Sequence, residues 1–332
     1  MNWIIFLFSF FVILFTSCDT DFDVNAAWEE TTVVYGLLDP SNDTQYVRIN
    51  RAFLGELGAK PMAQYSDSIN YNPTHLEVKI HKLISSDTLV SLPFDTISVI
   101  KDSLDINGSP GIFSIENHMI YTVVVPDNFF SNSFNYAITI KNLISGNNVS
   151  ANTEVISSFS FKNFNSSYKI GFYNPNQPDT SKFLSKTIEW DKCINGEIYQ
   201  LDVVFNYLEN GIEKSIIWNQ PLEFFEGSSM NSRIEGVKFL NYISSKLNDI
   251  TFQGARNFVD LDLIMTVGTE DLDTYLKVNE PITGIVQQRP VFTNITNGIG
   301  IFSSRYTYTL SQIDLTDFTK DYLINDLDRN FQ

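Results

Sequence analysis

Cysteine is nearly absent: Cys18 and Cys193 are the two thiols among 332 residues. Cys18 closes an N-terminal apolar segment, so Cys193 is left without an intramolecular partner and no disulfide framework is available. Cys193 sits in Trp190-Asp191-Lys192-Cys193-Ile194-Asn195-Gly196, which reads as a turn between strands and favours a structural thiol over a catalytic one. Histidine is also scarce, at three residues, His75, His81 and His118. His75 and His81 share a strand face but stand roughly 20 Å apart at the usual rise, too far to hold one ion. His75 with Glu77 supplies only a pair of ligands. No H-E-x-x-H, C-x-x-C, G-x-S-x-G or phosphate-binding loop is present, and Gly227-Ser228-Ser229 reads as a loop. No metal, cofactor or catalytic residue is therefore assigned. Basic residues are few, with Lys and Arg at 22 against 39 Asp and Glu, for a formal net charge of −17. That balance excludes nucleic acid as a partner and argues against polybasic attachment to anionic lipid. A run long enough to span a bilayer is missing as well. The N-terminal apolar stretch, Trp3 to Phe15, is 13 residues long, where a spanning helix needs about 20.

What that stretch does contain is an ending. It closes through Phe15-Thr16-Ser17-Cys18, small residues before a cysteine, which looks like a bacterial lipoprotein signal. An ordinary signal peptide fits the length but requires no cysteine at the cut. Residues 1–17 are expected to be removed, and Cys18 to become a lipid-bearing N-terminus. The n-region, Met1-Asn2, has no basic side chain, and Phe15 stands where leucine is usual. Residues 18–30 read as an acidic tether. Asp19, Asp21 and Asp23 alternate there with Thr20 and Phe22, either as a solvated spacer or as an export signal. A calcium loop is disfavoured, because the turn glycine and the distal glutamate of such loops are missing.

The remainder predicts a mainly β chain of two immunoglobulin-like or fibronectin-like β-sandwich domains, 31–162 and 163–332, the second with one or two helical insertions. Aromatic content of 14%, with 27 Phe and 15 Tyr, favours strands. Thr31 to Leu38 and Thr44 to Phe53 flank the turn signal Asp39-Pro40-Ser41-Asn42-Asp43 and read as a hairpin. Leu76, Val78 and Ile80 alternate with polar residues, as in a half-wet antiparallel strand. Further strands are expected at 88–92, 96–100, 112–115, 119–125, 134–142 and 149–160, with a closing hairpin turned at Gly146-Asn147-Asn148. After an Asn- and Pro-rich boundary, Ile188-Glu189-Trp190, Tyr199 to Tyr207 and 259–267 read as strands. Helices are expected near 232–247 and 269–278. The first would open on a capping box, Ser232-Arg233-Ile234-Glu235, and bury Ile234, Val237, Leu240, Ile243 and Leu247. The second would start at Thr269, with Glu270 and Asp271 at its positive end.

Two kinds of binding chemistry stay open. A carboxylate pair of the glycosidase type could form among so many acids, but no pair can be chosen from sequence. Trp190 reads as core, whereas Trp28 and Trp218 are candidate platforms for a sugar ring.

Several segments together resemble a family of Bacteroidota outer-membrane lipoproteins of unknown function. They are the lipidated cysteine with its acidic tether, Val33-Val34-Tyr35-Gly36-Leu37-Leu38, the Tyr199 to Tyr207 strand, and Thr293-Asn294-Ile295-Thr296-Asn297-Gly298-Ile299-Gly300-Ile301-Phe302. Genes of such families often lie near those of TonB-dependent receptors. The resemblance implies a lipid-anchored, surface-facing outer-membrane protein that binds a ligand or serves a barrel as an accessory subunit. A glycan-binding or glycan-processing surface protein and an envelope-assembly component are the alternatives. In the last segment, Gly298 and Gly300 suggest a bulge or a close backbone approach within a strand.

Overall fold

Alternation of apolar and polar residues turns most of the chain into strands. The structure, a computed structural model, describes residues 31–52, 63–100, 118–220, 223–224, 229–248, 252–281 and 290–332. The expected signal segment, tether and strand at 112–115 lie outside the described residues. The first strands are β1 (Thr32–Leu38), β2 (Thr44–Arg51), β3 (Leu76–Ile84), β4 (Asp87–Pro93), β5 (Asp95–Val99), β6 (His118–Val124), β7 (Asn135–Asn142) and β8 (Asn148–Glu154). They are followed by β9 (Ser185–Asp191), β10 (Ile198–Glu209), β11 (Ile212–Asn219), β12 (Glu223–Phe224), β13 (Ser229–Glu235), β14 (Arg256–Gly268) and β15 (Gly298–Ile313). The helices are α1 (Ser66–Ile69), α2 (Gly236–Lys246), α3 (Glu270–Asn279) and α4 (Asp317–Asn325).

The β1–β2 hairpin forms as its turn chemistry predicts. Asn42 N–H donates to Asp39 O at 3.0 Å, and the buried Gln45 amide both accepts from Asp39 N–H and donates to Asp39 O and Asn42 O. The closing hairpin forms between β7 and β8, with Gly146 at φ +79° in its turn. A nine-stranded sheet runs β11-β10-β14-β15-β1-β2-β6-β5, with β12 beside β10; a four-stranded sheet runs β4-β3-β7-β8, and β9 pairs with β13.

Two hydrophobic cores result. The first lies between the large sheet and the four-stranded sheet, where Val34, Val47, Ile49 and Tyr121 meet Val78, Ile80, Ile138 and Val149. This half is a two-sheet sandwich. The second covers the β11-β10-β14-β15 portion. There Val203, Phe205, Leu263 and Met265 pack under Ile188, Trp190 and Ile234 of the β9–β13 ribbon, Phe239, Leu240 and Ile243 of α2, and Leu323 of α4. The chain passes from one core to the other between Val155 and Ile156. Residues 31–332 nevertheless form one compact unit, because β15 returns from the C-terminal half to pair in parallel with β1. Ile295 and Phe302 thereby fill the N-terminal core. Each fully buried large apolar side chain is worth about 1.5–3 kcal/mol, whereas exposed ion pairs such as Lys162–Asp191 give about 0–1. Burial therefore holds the body together.

Two corrections concern the helices. The segment 232–235 is not a capping box: it is the end of β13, paired to β9 from Ser229↔Asp191 to Glu235↔Ser185. Met230, Ser232 and Ile234 are buried while Asn231 and Arg233 are exposed, a period of two that the helical pattern downstream masked. The helix starts at Gly236, where a Cβ would collide with the carbonyls of Leu184 and Phe172. Phe239 is buried on its inner face and Val237 is 40% exposed. The second correction is α4, an unexpected third helix of the C-terminal half, whose Leu323 seals the core. The helix near 269–278 is present as α3, with Thr269 at its N-cap. The hydroxyl of Thr269, however, bonds to Ser303 rather than to a helix amide. The expected strand at 149–160 stops as β8 at Glu154.

Candidate functional site

An acidic concavity lies where the two cores meet. The end of β8 brings Asn152 and Glu154, the turn between β9 and β10 brings Lys192 and Glu197, and the first turn of α3 brings Glu270 and Asp271 to a cleft of about 510 Å³. Lys192 Nζ is 2.9 Å from Glu197 Oε2, and Asn294 Nδ2 donates to Asp271 Oδ2 at 2.8 Å. With four carboxylates to one ammonium, the cleft suits cationic or hydroxyl-rich groups and repels anions.

A second cleft, also about 510 Å³, opens beside the β1–β2 turn. Asp39, 6% exposed, forms part of its wall, with Arg305 Nε 3.6 Å from Asp39 Oδ2. Tyr46 lines the same cleft and is 54% exposed. Its position on β2 follows from strand alternation, which places it opposite the buried Val47. Sequence reasoning passed over it in favour of tryptophan.

The structure separates the other candidates. Cys18, Asp19, Asp21, Asp23 and Trp28 lie outside the described residues, as do Gly227 and Ser228 of the expected loop. Trp190 is 1% exposed and belongs to the C-terminal core. Trp218 is half-buried on β11, its ring 5.5 Å from that of Phe239 and 6.1 Å from that of Tyr242 on α2, so packing occupies much of its face. Cys193 is buried in the turn after β9, its N–H donating to the Tyr199 hydroxyl at 2.9 Å. Burial pushes its thiol up to about 11, which makes it a poor nucleophile.

His118 is buried and His75 half-buried. His81 has Nδ1 2.7 Å from Ser91 Oγ and Nε2 2.8 Å from Thr139 Oγ1. Burial, and then the Lys79 charge, lowers its pKa, so the ring is neutral near pH 7. A serine–histidine contact backed by a threonine hydroxyl lacks the carboxylate that orients a catalytic triad. Among the described residues no group of three or more His, Cys, Asp or Glu side chains could hold a metal ion, and no helix is long and apolar enough to cross a membrane.

No protein-family model matches this chain, and no curated protein matches it.

Proposed function

We propose that the chain is a non-enzymatic, lipid-anchored outer-membrane lipoprotein. In this reading it faces the cell surface, and its β-rich body is a binding or accessory subunit beside an outer-membrane barrel such as a TonB-dependent receptor. The observation that carries this reading is Thr16-Ser17-Cys18 at the end of a short apolar run, followed by Asp19, Asp21 and Asp23. A body of two cores sharing one sheet supports a rigid module that such a tether could present. Radiolabelled palmitate should enter the wild-type chain and not Cys18→Ala, and protease added to intact cells should cleave the body. A chain that takes up no label in either form refutes the anchor, and full protection until lysis refutes surface exposure. Solubilisation in mild detergent should bring a barrel with the lipidated protein; recovery as a lone monomer under all conditions refutes the accessory role, and copurification with envelope-assembly proteins instead would favour that alternative.

A glycan-binding role is the second reading, favoured by exposed Tyr46 beside the Asp39–Arg305 pair and by the polar cleft at the junction. It predicts that Tyr46→Ala abolishes retention on immobilised polysaccharide without lowering the melting temperature. Equal retention of the two proteins refutes Tyr46 as the platform.

A further inference from the structure

The turn joining β7 to β8 carries Leu143 and Ile144 side by side, 53% and 73% exposed. Turn tips are ordinarily built from Gly, Asn, Asp, Ser and Pro, and adjacent exposed apolar residues mark contact surfaces more often than scattered ones do. This tip is held firmly. Asn142 Oδ1 accepts the N–H groups of Ile144 at 2.9 Å and Ser145 at 3.2 Å, Gly146 N–H donates to Asn142 O at 2.9 Å, and Leu143 N–H donates to His75 O at 2.8 Å. The apolar pair is thus displayed by a turn whose backbone is already satisfied.

The place of this tip in the fold points to what covers it. Ser150 and Thr296 exchange backbone hydrogen bonds at 3.2 and 2.8 Å, and Asn297 Nδ2 donates to Asn148 O at 3.0 Å. The next residue, Gly298, pairs with Thr32. The hairpin tip therefore projects from the end of the body at which β1 begins. Twelve residues, 19–30, connect that end to Cys18. A chain of that length spans roughly 20 Å as a flexible coil and about 40 Å fully extended. A lipid on Cys18 would hold this end within that reach of the bilayer.

We propose that the Leu143–Ile144 tip docks into the outer-membrane lipid surface and forms, with the Cys18 lipid, a two-point attachment that orients the body. The inference rests on the anchored reading above. Binding at a bilayer interface grows with the apolar area buried there, and the apolar tip adds such area without the basic patch that a chain of net charge −17 lacks.

The opposite end supplies a control. β15 leads away from Thr32 to Ile313, which pairs with Leu261, and β14 continues to Arg256, paired with Glu209 just before the β10–β11 turn. Ile212 in that hairpin is 65% exposed and lies roughly 65 Å away along the strands, at about 3.3 Å per residue.

Full-length lipidated protein carrying Ile144→Cys or Ile212→Cys, each spin-labelled, would be reconstituted into phosphatidylethanolamine–phosphatidylglycerol vesicles. Accessibility to oxygen and to a nickel chelate is then measured by power saturation. Buried Cys193 should take no label. The ratio of oxygen to nickel accessibility at residue 144 should exceed that at 212 by several fold. Vesicle-bound, lipidated protein with equal ratios at the two sites overturns the docking and leaves the anchor standing. Protein that carries no lipid and stays off the vesicles overturns the anchor and the docking with it. Shielding of residue 144 from both reagents, growing with protein density, assigns the tip to a second copy of the chain and overturns the lipid contact.

Discussion

Gly300 lies against the carbonyl of Val34 so closely that a Cβ at residue 300 would overlap the Val34 oxygen. Its φ of +112° is a conformation that L side chains rarely adopt. The contact sits in the parallel pairing of β15 with β1, which gives the two halves of the chain a common sheet.

Gly300→Ala should therefore destabilise the whole body, by at least ~2 kcal/mol from backbone strain and overpacking together. Urea unfolding followed by far-UV circular dichroism measures it. A midpoint unchanged from wild type would show that the β1–β15 seam relaxes freely.

Arg256 and Glu209 form a buried ion pair at 2.8 Å, with side-chain exposures of 4% and 14%. Arg256 also stacks 4.0 Å from the Phe252 ring centroid and donates to Arg329 O at 3.0 Å, tying the C-terminus to β14. The Glu209 carboxylate is held below its ordinary range, first by its hydrogen bond from Lys214 and then by Arg256. A depressed carboxylate stabilises the fold above its unfolded pKa, about 4.3, and that contribution fades as pH falls through the folded value. Glu209→Gln should cost about 3 kcal/mol at pH 7, because it leaves Arg256 buried without its counter-charge. The difference from wild type should shrink below about pH 4. Urea midpoints at about pH 7, 5 and 3 test both the size and the direction.

Tyr136, fully buried, accepts from Ser131 N–H at 2.8 Å and donates to Phe129 O at 2.9 Å. Tyr136→Phe keeps the ring and strands both backbone groups, so a loss of about 1–3 kcal/mol is expected. A thermal melt within a degree of wild type would mean that water replaces the hydroxyl.

Cys193 should be inert in the native body. At pH 8 a disulfide-exchange dye should detect no thiol in the lipidated chain and one per chain in denaturant. Rapid native reaction would contradict the burial that lifts the thiol to about 11.

Local physics wrote much of this fold into the sequence. Alternation at Val33-Val34-Tyr35 and Leu76-Glu77-Val78, with turn residues at 39–43 and 146–148, specifies strands and hairpins because side-chain period and backbone turns are set by neighbours a few residues apart. Thr269 and the acids after it marked the start of α3. At 232–235, local signals conflicted: Ser-x-x-Glu before an apolar run suits a capping box, yet pairing with β9 made it a strand, since long-range hydrogen bonds and burial outweigh a cap worth about 1 kcal/mol. The closeness of Gly298 and Gly300 to another backbone was legible, because only missing side chains permit it; the identity of that backbone, β1, was not. Tertiary structure alone decided that Val34 would be the neighbour, that two cores would share a sheet, and that Leu143 and Ile144 would stand at the end where Thr32 begins. These are meetings of residues more than a hundred positions apart, and no spacing within one segment encodes them.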